Sequence, residues 1–288
     1  MQKTLQPTLF IILIFISGIT TLFAENSEDD IDSPDTNGFF ASSYIMIDGG
    51  YNLSGSQQLL SIRQSLIGIS GQYGTLSQGM EVNLTFGHWF HENIGFIFGT
   101  GFLSGNQSEG IPFVGMAPIF PMEQGDGNIS LNSFHFKPGL QFGFSLSSVI
   151  DQYTNLGMKI AAPSAESKIV QEVASPWDPS TRTEGEFEFN RKLTPGFFIE
   201  TGLKFQLTEN FSVRSGLYLS ALSYVPDEVK LKRLFEDGEE ITHQIDEEDR
   251  TIELKSSLNL QNFEDNATFV APMDMSAFSV RIGAVYDF

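Results

Sequence analysis

The chain has 288 residues, 36 acids against 16 bases, a formal charge of −20 and no cysteine. The acidic balance excludes a nucleic-acid-binding surface, which needs bases to displace counterions, and attachment to anionic lipid through a polybasic patch. The missing cysteines exclude disulfide staples and a cysteine-linked lipid anchor. Phe and Gly each number 27, which suits a greasy exterior around a tight interior.

The N-terminus carries Lys3, an apolar run from Leu9 to Ile16, a break at Ser17-Gly18 and the small residue Ala24. This pattern predicts a cleaved secretory signal peptide over residues 1–24, because eight apolar residues are too few to span a bilayer. The mature chain then holds 36 acids against 15 bases, a charge of −21. Residues 25–42 read as an acidic, disordered leader with no apolar period to bury. The folded domain is expected over residues 43–288.

From Tyr44 the pattern has period two, the signature of strands with two unlike faces. Ile45, Ile47, Tyr51 and Leu53 alternate with Tyr44, Met46, Asp48, Gly50 and Asn52. A Ser/Gly/Gln-rich loop runs to Ser77. Met80 to Phe86, a short turn at His91-Glu92-Asn93, and Ile94 to Phe102 form a first hairpin. A second follows at Ser133–Ser145 and Tyr153–Ala162, and a third at Leu193–Leu207 and Phe211–Tyr224. The last strand, Ser276–Phe288, sets Phe278, Val280, Ile282, Ala284, Tyr286 and Phe288 against Ser279, Arg281, Gly283 and Asp287. Pro138 interrupts its strand, because proline cannot donate to a ladder; a bulge or a later strand start is expected there. Pro195 is expected to begin its strand.

The result is an all-β chain. Eight strands are joined by three short turns and four long loops, or ten strands if the last loop contributes two. Short turns on the periplasmic side and long loops outside mark a transmembrane antiparallel up-and-down barrel. This layout from Tyr44 to Phe288, ending in an alternating strand that stops on Phe288, resembles the OmpA-transmembrane-domain and OmpX-type outer-membrane barrels. The resemblance implies a cell outer membrane location, surrounding outer-membrane lipid, and delivery to the barrel-assembly machinery through the terminal strand, with Tyr286 and Phe288 as the assembly signal. A monomer is expected, and no nucleic acid partner.

Within that fold the lumen face collects Asp48, Glu81, Lys137, Lys159, Glu200, Lys204, Arg214 and Arg281. Strand order predicts Lys159 beside Glu200 and Asp48 near Arg281, with Lys204 and Arg214 facing each other across a turn. Such pairs brace a filled interior or form a polar gate; eight strands leave room for side chains rather than an open channel. Histidines 88, 91, 135 and 243 are scattered, with His135 expected near the outer rim, so no metal site, cofactor or catalytic residue is expected. His135 is followed by Phe136-Lys137, unlike the His-x-Ser arrangement of barrel lipid A deacylases, and no enzyme is expected.

Two loops stand out. Pro226 to Met275 has 14 acids and 5 bases; its runs Glu236–Glu240 and Asp246–Asp249 read as solvated repulsion ahead of cation binding, and its flanks, Val229–Phe235 and Thr251–Leu254, as a hairpin above the membrane. Ile111–Met122 is an apolar stretch expected to pack against the barrel rim. The function expected is that of a barrel with a side-chain-filled lumen acting through its surface loops in envelope integrity, adhesion or surface interaction. A narrow porin or small-solute transporter is the alternative, and a barrel enzyme acting on lipid or peptide a more distant one.

Overall fold

The computed structural model describes residues 43–54, 58–65, 68–74, 76–109, 113–114, 125–175, 178–255, 268–270 and 272–288. The predicted signal peptide and leader lie outside these residues, as does most of the apolar stretch 111–122.

Eight long strands form the ring: β1 (Ser43–Ser54), β2 (Gly79–His91), β3 (Ile94–Gly105), β4 (Gly125–Ser145), β5 (Ile150–Ser175), β6 (Thr194–Gln206), β7 (Phe211–Tyr224) and β8 (Ala277–Asp287). Each pairs antiparallel with its sequence neighbours. β8 then closes on β1 from Tyr44↔Asp287 to Ser54↔Ala277. Both edges of every ring strand are bonded, so eight strands complete the barrel. A closed ladder is what a lipid environment demands, because lipid offers no partner for a free N–H or C=O.

The faces are inverted relative to a soluble protein. Ile47, Phe134, Phe197 and Ile282 are 60–69% exposed, while Glu81 and Arg281 are at most 1% exposed. Outward residues on β4 run from Phe134 to Phe144. Ten steps at about 3.3 Å, at the usual barrel tilt of about 40°, span about 25 Å, the height of an outer-membrane apolar belt. A water-facing apolar surface this continuous would drive association; lipid satisfies it. Phe98 and Phe136 stack outside with ring centres 6.1 Å apart, and Tyr286 meets Phe288 edge-on at 5.6 Å.

Three expectations need correction. β4 begins at Gly125 and β5 ends at Ser175, so both extend well beyond the predicted strands. At Pro138 the register neither shifts nor restarts. Pairing with β5 lapses between Phe136↔Ile160 and Gly139↔Gly157, while Phe98↔Pro138 holds on the other edge; one missing donor is tolerated because the pairs on either side keep the alignment. The Ser/Gly/Gln-rich loop contains a hairpin, Gln58–Ser65 with Gly68–Gly74. Pro195 sits at the second residue of β6, as its strand-starting role requires.

Above the ring the strands continue as a cap. The upper part of β5 pairs with Asp178–Phe189, which pairs with Glu228–Glu236, which pairs with Thr251–Lys255. The latter two are the predicted hairpin flanks, and they join the cap rather than the ring. Thr268–Val270 and Phe113–Val114 extend this ladder. Asp237 (φ 48°) and Gly238 (φ 87°) make the tight turn after Glu236, the Asp-Gly pairing that a primed hairpin turn favours. The acidic segment is therefore folded. Its acids face out, while Ile241, Ile245 and Ile252 pack on a core of Phe187, Phe189, Val229, Leu231 and Leu234.

Candidate functional site

The lumen fills in layers. Nearest the short turns, Arg214 of β7 lies over the Tyr153 ring at 3.9 Å and the Tyr44 ring at 5.2 Å and donates to the Tyr44 hydroxyl at 3.3 Å. Tyr44 donates in turn to Gln141 Oε1. Lys204 is directly opposite Arg214 in register but turns away, reaching Asp287 at 2.9 Å. Two adjacent like charges are thus separated by giving each its own partner. Gly87 carries no side chain because a Cβ there would enter the Tyr44 ring, and a Cβ at Gly216 would meet the Tyr153 hydroxyl.

Glu81 of β2 organises the next layer. Its Oε1 lies 2.5 Å from Arg281 Nη2, 3.2 Å from His135 Nε2 and 3.8 Å from Lys137 Nζ. Its Oε2 lies 3.2 Å from Lys159 Nζ and accepts from Asn52 Nδ2 at 2.9 Å. Arg281 also packs its guanidinium 3.3 Å from the Tyr218 ring centre. Asn83 links the remaining members, donating to Asp48 and accepting from Lys137, both at 2.7 Å. One carboxylate therefore ties β2 to β1, β4, β5 and β8. A charge in such a place is costly unless paired and hydrogen-bonded, and the barrel's narrow bore lets long side chains meet across it.

Above this layer the interior turns apolar. Leu103, Leu131, Ala161 and Leu222 stand one inward step beyond Gly101, Ser133, Lys159 and Ser220, and join Ile129, Leu76 and Met275 in the core that continues into the cap. The bore is closed first by ion pairs, then by hydrocarbon.

The sequence-predicted residues fall as follows. Arg281 Nη1 and Asp48 Oδ1 lie 3.6 Å apart. Lys159 and Glu200 do not pair. The β5–β6 ladder sets Lys159 opposite Gly196 and Glu200 opposite Asn155, four residues apart along the strands. A long loop joins these strands, so no turn fixed that register in advance. Glu200 accepts from the Tyr153 hydroxyl at 3.0 Å, and Lys159 crosses to Glu81. His135 is not at a rim. β4 starts earlier than expected, which puts His135 mid-strand, 2.8 Å from Asn83 Oδ1 and 1% exposed. Tyr286 and Phe288 lie outside at the short-turn end, more than half exposed, and the Phe288 N–H donates to the Ser43 carbonyl at 3.0 Å.

Glu81, Lys137, His135 and Tyr218 were missed as partners. Their inward parity was readable, but partner choice across the bore was not. Among the described residues no three His, Asp or Glu side chains converge as metal ligands.

No protein-family model matches the chain, and no curated protein matches it. Solved structures resemble it in fold. Neisserial surface protein A is 8% identical, with a TM-score of 0.38 over 86% of this chain and 98% of that one. Ail, the attachment invasion locus protein of Yersinia pestis, is 13% identical, with a TM-score of 0.33 over 86% and 99%. A major outer membrane protein from Thermus thermophilus is 11% identical, with a TM-score of 0.43 over 85% and 99%.

Proposed function

We propose that the protein is a non-enzymatic outer-membrane β-barrel whose lumen is structural fill and whose working surface is the folded extracellular cap, serving envelope integrity, adhesion or surface interaction. The observation that carries this reading is the doubly closed bore: the Glu81 ion cluster below and the Leu103–Leu131–Leu222 seal above. A path for solutes would have to break both. Among the described residues, His135 and Glu81 are the acid–histidine pair that could have suggested catalysis, and they are buried where no lipid or peptide substrate reaches. Solvent meets the charged strands of the cap, and the lipid belt anchors the barrel as a monomer. The alternating terminal strand, ending at Tyr286 and Phe288, is the segment offered to the assembly machinery.

A peptide epitope inserted between Glu247 and Glu248, both exposed, tests the topology. Antibody is expected to label intact cells. Labelling only after permeabilisation would reject the extracellular cap.

A further inference from the structure

The cap and the ring share β5 but change partner along it, which leaves a seam. On one side the ring ends at Thr194↔Ala161 and the cap begins at Glu188↔Glu166. On the other, the ring ends at Gly196↔Leu222 and the cap begins at Phe189↔Val229. Residues 190–193 cross the seam outside any strand. A cleft of about 200 Å³ opens there, lined by Glu188, Asn190, Arg191, Glu228, Lys230 and Thr251. It has room for a headgroup, and it is smaller than the pockets of about 300 Å³ and more that hold drug-sized ligands.

The wall of the cleft is fixed. Asn190 Oδ1 accepts from the N–H groups of Asp227 and Glu228 at 3.0 and 3.2 Å, and the Asn190 carbonyl accepts from the Tyr224 hydroxyl at 2.5 Å. Neighbouring surface charges are matched: Lys192 with Asp227 at 2.7 Å, and Lys232 with Glu166 and Glu188 at 3.0 and 3.1 Å. Of the charges that line the cleft, Glu188 is thus taken by Lys232, and the others are not matched in this way. Among the described residues the side chains of Arg191 and Glu228 have no ion-pair or hydrogen-bond partner, and Lys230 reaches only Glu247, at 3.9 Å. A short chain step away, Leu193 is 71% exposed, the most exposed large apolar side chain described. The cleft therefore sits where the apolar belt ends and headgroups begin.

We propose that this cleft binds the headgroup of a phosphoethanolamine-type lipid. The phosphate lies between Arg191 and Lys230, the amine meets Glu228, and the acyl chains run down past Leu193 and Phe197. A plain anion would leave the Glu228 carboxylate facing like charge, which selects a headgroup carrying both signs. The site rests on the transmembrane reading. If that reading failed, the mature chain would be soluble without detergent, an outcome distinct from any binding result.

Native mass spectrometry of the detergent-purified protein, titrated with phosphatidylethanolamine or phosphatidylglycerol, tests it. The wild type is expected to retain phosphatidylethanolamine in preference. Arg191→Ala with Lys230→Ala removes two charge-assisted contacts and is expected to weaken retention roughly tenfold or more. Glu228→Gln is expected to erase the preference between the two lipids. Soluble phosphoethanolamine, lacking acyl chains, is expected not to displace the lipid; displacement would overturn the lipid assignment in favour of a free phosphate ester. Equal retention by the double variant and the wild type, or a wild-type preference for phosphatidylglycerol, would overturn the site. The substituted residues are exposed, so unchanged heat-modifiable gel mobility verifies folding in each variant.

Discussion

Arg281 and Glu81 belong to β8 and β2, strands that β1 separates, yet their side chains meet 2.5 Å apart over Gly50 of β1, which lies opposite both in register. The contact does for the barrel interior what a hydrophobic core does for a soluble domain: it joins elements the backbone ladder leaves unconnected. Removing Glu81 would leave buried Lys159 without a carboxylate and Arg281 with Asp48 alone. Glu81→Ala is therefore expected to cost about 3–5 kcal/mol, read as a lower urea midpoint for unfolding from detergent or lipid. Replacing Glu81 and Arg281 together by Leu is expected to cost less than Glu81→Ala alone. Equal or greater loss in the double variant would mean that the pair is not the reason for the charge.

Gly87 and Tyr44 form a size-matched pair. Gly87→Ala pushes a methyl into the Tyr44 ring and is expected to cost about 1–3 kcal/mol, as overpacking does. Combining it with Tyr44→Ala should recover part of that loss, since contacting sites are not additive. Additive losses in the double-mutant cycle would show that the clash is relieved elsewhere.

The cap is expected to resist protease as a folded unit. Phe187 is 1% exposed at its centre, and Phe187→Ala should cost the cap about 3–5 kcal/mol. Cleavage should then appear within residues 178–255 while the ring keeps its heat-modifiable mobility. Concerted loss of both would show that cap and ring fold as one.

Lys232 links the cap strands through Glu166 first and Glu188 second, and these hydrogen bonds hold its ammonium above the usual value near 10.5. A raised pKa in the folded state favours folding fully below the unfolded value, and the benefit fades as pH rises through the folded one. Wild-type cap protection should therefore decline more steeply than that of Lys232→Met as pH rises above about 10. Parallel declines would remove Lys232 from the account. The side chain is 41% exposed, so the effect is small.

Deleting Phe288 removes its bond to Ser43 and its edge contact with Tyr286. The truncated chain is expected to assemble poorly into membranes. Normal insertion, followed by fractionation and gel mobility, would contradict that role for the terminal strand.

Much of this architecture was legible. Alternation from Tyr44 to Leu53, or Phe278 to Phe288, is local, so strand identity and the inward parity of Asp48, Lys159 and Arg281 could be read directly. Short turns such as His91–Ile94 carried the hairpin order. Registers across long loops could not be read, because no turn constrains them; hence the expected Lys159–Glu200 pair, where the ladder sets the two apart and Lys159 crosses the bore to Glu81. The cap was half legible. Its strands alternate, but the Asp237-Gly238 turn lay within a run of acids whose charge obscured its turn chemistry. The seam cleft had no sequence signal, because it arises where β5 changes partner from the ring to the cap.

Single-channel recording in a planar bilayer tests the filled lumen most directly. Purified wild-type protein is expected to give no reproducible conductance steps, and Glu81→Ala should remain closed because the apolar seal above is intact. Reproducible, solute-sized steps from the wild type would contradict the account and make the protein a pore.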